Sequence, residues 1–425
     1  MENSRPGRNP TIGKEYVMSF KKMMRKNFIK ALLVALVACA SFCIFTTSLM
    51  AADEILIGIN QDITGIMAAE GRTHTDSAMM AIDEWNAKGG VNGKKIKPIF
   101  MNNGADPVRA TANAKSLVKD GVAAVVGCSN STVCIAELKE FARADIPVTG
   151  GAASTRIFEE KGSNGKPFYF SGVGADPILA RGYLDAAASG GYKKIAILHL
   201  NVAWPKDITA IQKEWVQKYY SGKYGMTVVG TVEADVNATD LSLQVNQLKA
   251  LNPDVIVANI YQANCLALTR AFANANWNPP WVTGWSQLDA VYAKSSEKKA
   301  FYNLIGVGYW DGNRPDTVKK HEAFIKKYGY TPTAHWATTY TMTDLLLQAI
   351  KEVGTDGKKI QTWLATKAFG KPMIAGKKGS TVKIRELNET WLSKPTTYYS
   401  LFDGTDYGRV WVDQKGALDW KKLSK

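Results

Sequence analysis

Histidine and cysteine, which build most metal and nucleophilic sites, are scarce in this 425-residue sequence, with four and five copies. No H-E-x-x-H or C-x-x-C motif occurs, and no cluster of histidine, aspartate and glutamate has the spacing of metal ligands. Segment 89–95 contains glycines, but no strand precedes it as a nucleotide-binding loop would require. The sequence therefore predicts no metal and no cofactor.

Acid–base pairs are also missing from the strand ends, where an α/β enzyme would need them. The corner Gly-Cys-Ser-Asn-Ser at 127–131 lacks the closing glycine of a G-x-S-x-G nucleophile elbow. Only one histidine, His199, lies near the end of a predicted strand, and its position within IAILHL favours packing against the sheet. We therefore expect that the protein is not an enzyme.

Acidic residues are outnumbered, since the formal net charge is +15. Residues 1–52 contain eight Lys or Arg and two Asp or Glu, a net +6, which leaves +9 for the rest of the chain. The remaining lysines are scattered beside turns and on predicted helix faces. This distribution is typical of a solvated surface, and it predicts no nucleic-acid partner.

The longest apolar run, ALLVALVACASFCIFTTSLM, lies near the N-terminus. A basic segment precedes it and the small residues of LMAADE follow, which is the order of a secretory signal peptide. We predict that residues 1–52 are a cleaved leader, with Met18 as an alternative start. An uncleaved membrane anchor is one alternative. Cleavage at LVAC, which would place a lipid on Cys39, is another.

From Asp53 onward, apolar runs of strand length alternate with helical patterns. Runs such as VAAVVG and VIVANI are continuously apolar, as in parallel strands that helices cover on both faces. The helix in HTDSAMMAIDEWNAKGG places Ala78, Ala81, Ile82 and Trp85 on one face and ends at glycine. Two successive runs of βα units predict an α/β protein with two similar lobes built around parallel sheets.

The segment AAVVGCSNSTVCIAELKEF, residues 123–141, predicts a strand, a sharp turn and a helix. Ligands of open α/β sheets bind at the carboxyl ends of strands, and a helix N-terminus offers unpaired N–H groups to an anion. This corner and the loop at 152–155 after the next strand would together hold a carboxylate. N-capping by Asn130 or Ser131 is the simpler alternative. Cys128 and Cys134 either form a local disulfide or stay unpaired.

Three segments carry a resemblance to a known family: AIDEWNAKGGVNGKKIKPIFMNNGADPVRATANAKSLV, VVGCSNSTVCIA and IPVTGGAAST. They resemble the leucine–isoleucine–valine-binding family, the periplasmic solute-binding proteins of branched-chain amino acid type ABC transporters. The resemblance implies the periplasmic-binding-protein type I fold, in which three crossover strands join two doubly wound parallel-sheet lobes. We expect lobe I at 53–172 plus about 306–395, and lobe II at 173–305 plus about 396–425.

The resemblance also implies binding roles for residues of lobe I. Ser129 and Ser131, with Asn130 between them, would hold the ligand's carboxylate. The backbone carbonyl of Ala152 would face an amino group, and the hydroxyl of Ser154 would face the carboxylate.

Aromatic residues follow the predicted strands of lobe II. By resemblance, Trp204 closes over the ligand and Tyr261 lies at the next strand end. Where amino-acid-binding members carry a glutamate for the ligand's ammonium, this chain has Trp285. A buried ammonium needs a charged partner, and Glu70 in the first glycine-rich loop could supply one. Trp310 is a further aromatic candidate.

The expected function is therefore ligand capture in the cleft, with a small molecule and a membrane permease as partners and the periplasm as location. A small carboxylate with an apolar or aromatic body is expected first, an aliphatic amino acid next, and an amide or urea-like solute third. A ligand-sensing receptor module is the alternative. It would carry a transmembrane and signalling segment after the lobes, and none precedes Lys425.

Overall fold

The computed structural model describes residues 23–25, 54–173, 176–284, 295–301, 303–308 and 315–366, and the backbone of four short strands nearer the C-terminus. The chain divides into two units, Met1–Asp53 and Glu54–Lys425. Residues 23–25 form an exposed helical turn, and the rest of the predicted signal peptide lies outside the described residues. Within these ranges, no helix combines the length and the apolar character that crossing a membrane requires.

Strands and helices alternate through most of Glu54–Lys425. The strands are β1 Ile55–Gln61, β2 Ile96–Asn102, β3 Ala124–Gly127, β4 Val148–Gly150, β5 Tyr169–Ser171, β6 Lys194–Leu200, β7 Thr227–Ala234, β8 Val255–Asn259, β9 Trp281–Gly284, β10 Leu304–Gly308, β11 Ala368–Phe369, β12 Val382–Lys383, β13 Gly408–Val412 and β14 Leu418–Asp419. The helices are α1 Ala68–Ala87, α2 Pro107–Lys119, α3 Ser131–Arg143, α4 Asp176–Ser189, α5 Ala203–Trp215, α6 Ser242–Ala250, α7 Gln262–Asn274, α8 Pro315–Tyr328, α9 His335–Val353 and α10 Gly357–Thr366. A π-helical segment, Val216–Tyr220, and a last turn, Ser221–Tyr224, continue α5, and 3₁₀ turns occur at Thr155–Phe158 and Lys298–Phe301.

The first sheet has the order β2-β1-β3-β4-β5, and all its neighbouring strands are parallel. Its central strands are largely apolar, and nearly all their residues are buried. Ala78 and Ile82 of α1 are fully buried, as the helical pattern predicts, while Trp85 is half-buried. Helix α9, from far along the chain, packs on α1 and β4. We call the elements on this sheet lobe I.

The second sheet has the order β14-β13-β10-β9-β8-β6-β7. Strands β6 to β10 are parallel to one another, whereas β13 runs antiparallel to β10 and β14 antiparallel to β13. Helix α4 follows β5 but packs on β8, β9 and β10, so the chain changes sheets at this point. We call the elements on this sheet lobe II. The predicted α/β fold with two parallel-sheet lobes is confirmed, while the boundaries near 172, 305 and 395 stay predictions.

A disulfide joins Cys128, just after β3, to Cys134 in the first turn of α3. The sequence left this pairing open, and the sharp corner brings the two Cα atoms within 5.1 Å. Cys128 has a φ of 47°, in the left-handed region that favours glycine. The turn directs Ser129 and Ser131 to the carboxyl end of the sheet. Cys265 is buried and unpaired.

Candidate functional site

A cavity lies between the two lobes at the carboxyl ends of their strands. About 430 Å³ of space free of protein atoms lies here, including space open to solvent. Lobe I contributes α1, the corner before α3, the loop after β4 and the first residue of α9. Lobe II contributes α4, the start of α5 and the loop after β8.

Most of the predicted binding residues line this cavity: Glu70, Ser129, Ser131, Ala152, Trp204 and Tyr261. Asn130 instead caps α3, because its side chain accepts a hydrogen bond from the Thr132 N–H. The Ser154 hydroxyl donates to Asp207 Oδ2 at 2.5 Å. Trp285 and Trp310 lie outside the described residues. The roles of these residues toward a ligand stay predictions.

The hydroxyl-bearing residue Ser131 lines the cavity. Its Oγ accepts the backbone N–H groups of Ala153 at 3.3 Å and of Ser154 at 3.2 Å. Neither bond uses the hydroxyl proton, so Ser131 can donate it to an acceptor in the cavity. The neighbouring Ala152 carbonyl, which the resemblance assigns to an amino group, already accepts from the Tyr169 hydroxyl at 3.0 Å. A carbonyl has a second lone pair for another donor.

Behind the cavity wall, the Ser129 hydroxyl donates to Asp62. Asp62 is buried, and its Oδ2 has no partner among the described residues. Burial raises the pKa of this carboxyl to about 7, the nearby charge of Glu70 adds to the shift, and the Ser129 hydrogen bond opposes it. When Asp62 is ionised, the Ser129 hydroxyl donates its hydrogen bond to that carboxylate. Ser129 then offers the cavity only the lone pairs of its oxygen.

Glu70 brings a carboxylate to the cavity. Its Oε2 accepts the Thr333 hydroxyl at 2.6 Å and lies 2.9 Å from His335 Nδ1. Its Oε1 is buried and has no partner among the described residues. This oxygen can accept an N–H donor from a solute. The sequence placed Glu70 in a loop, but it lies in the first turn of α1.

Two buried histidines beside Glu70 were missing from the sequence prediction. His74 Nδ1 lies 2.6 Å from Thr339 Oγ1, and the His74 and His335 rings are 5.1 Å apart. Burial, reinforced by His335, lowers the pKa of His74 well below its usual value. The four-residue spacing of Glu70 and His74 on a helix is a weak signal for such a cluster. No sequence signal indicated that His335 of α9, 265 positions after Glu70, would join the cluster.

Aromatic side chains form the lobe II wall. Trp204 and Tyr261 stack with their ring centroids 5.8 Å apart, and Tyr183 and Leu179 of α4 line the cavity beside them. Trp204 Nε1 and the Tyr261 hydroxyl are buried without a partner among the described residues. Burial and the nearby carboxyl of Asp62 raise the Tyr261 pKa, so its hydroxyl stays a donor. The wall is apolar, with two unused donors.

Direct contacts join the lobes beside the cavity. Asp207 of α5 accepts the Ser154 hydroxyl and pairs with Arg156 at 3.1 Å, and both partners follow β4 in lobe I. The Ala203 N–H also reaches Thr132 Oγ1 at 3.5 Å. These bonds require the lobes to lie close together, so they belong to a closed arrangement of the cleft.

Comparison with known proteins adds independent observations. A family model described as periplasmic binding protein matches residues 54–379. The leucine-, isoleucine-, valine-, threonine-, and alanine-binding protein of Pseudomonas aeruginosa is 28% identical over 279 residues, which are 62% of this chain and 69% of that protein. More distant proteins share the fold.

Two solved structures illustrate that shared fold. One is the branched-chain amino acid transporter substrate-binding protein LivJ of Streptococcus pneumoniae in complex with isoleucine, with 22% identity and a TM-score of 0.63. The match covers 75% of this chain and 90% of that one. The other is an ABC transporter solute-binding protein of R. palustris in complex with benzoate, with 19% identity, a TM-score of 0.66 and coverages of 75% and 87%.

Proposed function

Because the chain belongs to the periplasmic binding protein family, as its resemblance to the leucine–isoleucine–valine-binding proteins predicts, we propose that it is the solute-binding component of an ABC importer. It captures one small carboxylate between its lobes in the periplasm and delivers it to a membrane permease. One observation carries the proposal. The Ser131 hydroxyl, which accepts two N–H groups and keeps its own proton for donation, and the Glu70 Oε1, which has no partner among the described residues, belong to residues that line the same cavity.

These two groups favour an α-amino acid as the solute. A carboxylate accepts the Ser131 proton, and an ammonium donates to Glu70 Oε1. An ammonium in a closed cleft needs a charged partner, since a buried unpaired charge is strongly unfavourable. This reverses the order expected from the sequence, which placed a simple carboxylic acid first because Trp285 replaces the family's glutamate. Glu70, in lobe I, supplies the carboxylate that pairs with the solute's ammonium.

The solute's body is expected to be apolar. Met67, Val173 and Leu179 line the cavity together with the stacked pair Trp204 and Tyr261. Burying a side chain such as leucine against them contributes about 1.5–3 kcal/mol. A carboxylic acid without an amino group is the second candidate, because the relative from R. palustris holds benzoate on the same fold.

Calorimetric titration of ligand-stripped protein with leucine, isoleucine, phenylalanine, benzoate and acetamide tests the proposal. We expect one-to-one binding of at least one amino acid, with a change in tryptophan fluorescence because Trp204 lines the cavity. Binding of acetamide alone, or of none of these solutes, would contradict the proposal.

Ser131→Ala removes the proton donor and the acceptor of two backbone N–H groups. We expect the affinity for the amino acid to fall at least about tenfold and the free energy of unfolding to fall by about 1–3 kcal/mol. Ser221→Ala is the matched control, because Ser221 is exposed and bonds only within its own helix. Loss of stability with unchanged affinity would show that the Ser131 hydroxyl does not meet the solute.

A further inference from the structure

Glu70, His74 and His335 form a buried cluster in the wall of the cavity. One potential ligand atom from each residue lies within 4.8 Å of the other two. Glu70 and His74 are one helical turn apart on α1, and His335 begins α9, which packs against α1. Both helices belong to lobe I, so the cluster does not depend on closure of the cleft.

The cluster has unused donor atoms. Glu70 Oε1 and His74 Nε2 are buried with no hydrogen-bond partner among the described residues. Buried polar atoms in folded proteins almost always have hydrogen-bond partners. Two buried atoms without a partner in one cluster therefore indicate a ligand that binds them both. In the tautomer that donates Nδ1–H to Thr339, His74 Nε2 carries a lone pair. Thr339 then orients the ring as outer partners orient metal-bound histidines.

The surrounding backbone shows how closely His74 approaches the cavity. A Cβ at Gly151, whose backbone lines the cavity, would lie 2.3 Å from His74 Cε1 and 2.8 Å from Nε2. Only glycine leaves room for the imidazole edge at this point. Glu70 and His335 line the cavity directly, so coordination positions not taken by protein would open toward it.

Two buried carboxyl groups, Glu70 and Asp62, lie in and near the cluster. Asp62 lies close enough for its charge to interact with that of Glu70. In the described part of the chain, neither carboxylate forms an ion pair with a lysine or arginine. A divalent cation would compensate the charge of Glu70, and that of Asp62 when Asp62 is ionised.

We propose that Glu70, His74 and His335 form a binding site for a divalent transition metal, with open coordination positions that face the cavity. Two imidazoles and one carboxylate suit Zn²⁺, Ni²⁺ or Co²⁺, and three protein ligands are typical of zinc sites that keep a fourth position for water or another small ligand. Mg²⁺ and Ca²⁺ prefer oxygen-rich sets, which this cluster lacks. On binding, the His335–Glu70 hydrogen bond gives way to bonds to the metal.

Calorimetric titration of the chelator-treated full chain with ZnCl₂ and NiCl₂, in the absence of any solute, tests the site. We expect one equivalent to bind and to raise the melting temperature, and MgCl₂ to do neither. Outer partners of a metal typically contribute about 10- to 100-fold in affinity, so loss of a ligand in Glu70→Gln or His335→Gln should cost about 100-fold or more.

His199→Gln is the matched control, because His199 lies on β6 in lobe II, near Glu233. It should bind the metal as the unaltered protein does. His335 lines the cavity, so His335→Gln decides the test if Glu70→Gln fails to fold. No response to Zn²⁺ or Ni²⁺, or equal affinity in His335→Gln, would overturn the site. Neither result bears on solute capture, which is measured separately on metal-free protein.

Discussion

Buried carboxyl groups near the cavity link its chemistry to pH. Burial raises the pKa values of Asp62, Glu137 and Asp176, to about 7 for Asp62. Around Asp62, Glu70 of α1 and Glu137 of α3 contribute like charges, while the Tyr261 hydroxyl faces it from lobe II. The folded protein therefore holds protons at neutral pH that the unfolded chain would release.

Asp62→Asn should flatten the dependence of stability on pH. The folded-state pKa of about 7 lies above the usual 3.8, so the stabilisation is fully present below about pH 4 and is lost as pH rises through 7. A pKa difference of this size corresponds to about a few kcal/mol in the free energy of unfolding. The asparagine carbonyl still accepts the Ser129 hydroxyl. In urea unfolding between pH 4 and 7, the free energy of unfolding should fall less with rising pH in Asp62→Asn than in the unaltered protein. Parallel pH curves for the two proteins would show that Asp62 titrates normally.

At the level of elements, α1 docks closely on the loop after β1. A Cβ on Gly71 would lie 2.3 Å from the Asp62 carbonyl oxygen, which is backbone and cannot move aside. This contact holds the first turn of α1, and therefore Glu70, at the carboxyl end of the sheet.

Gly71→Ala should reduce the free energy of unfolding by about 1–3 kcal/mol, because the helix must move away from the loop. Gly222→Ala is the matched control. Gly222 lies in the last helical turn after α5, and an added Cβ would meet nothing within 4 Å. Alanine there should stabilise by about 0.5–1 kcal/mol through helix propensity. Chemical denaturation measures both. Equal effects of the two substitutions would contradict the close docking.

The sequence predicts the strands and helices well because buried parallel strands are continuously apolar and their helices are amphipathic. It also places Ser131 and Tyr261 at strand ends, where ligands bind. It could not separate a cap from a ligand contact at Asn130, since both use the same oxygen at the same corner. His335 was unpredictable because its place depends on how α9 returns to α1.

At the scale of the whole molecule, Asp207 holds the lobes together through Ser154 and Arg156. Asp207→Ala should therefore favour an open cleft and weaken solute affinity about tenfold, mainly through faster dissociation. Glu214→Ala removes a charge from the exposed face of the same helix and should leave affinity unchanged. Stopped-flow kinetics and small-angle scattering with and without solute report both effects. Equal dissociation rates in the two variants would rule out this role of Asp207.

The two-lobed architecture was predictable from the repeated βα units, but the character of the solute was not. It depends on which polar atoms remain unpaired once the lobes meet. Beside the cavity, such atoms belong to Glu70 in lobe I and to Trp204 and Tyr261 in lobe II, while the Ser131 hydroxyl keeps a proton to donate. No local pattern in the sequence shows which bonds the folded protein leaves unused.

The most direct test compares three solutes of one shape by calorimetry on metal-free protein: leucine, 4-methylpentanoate, which lacks the amino group, and 3-methylbutylamine, which lacks the carboxylate. We predict that leucine binds most tightly and that each deletion costs at least about tenfold. In Glu70→Gln, the preference for leucine over 4-methylpentanoate should largely disappear. Equal affinity for leucine and the amine, or no binding of any of the three, would contradict capture of an apolar amino acid between Ser131 and Glu70.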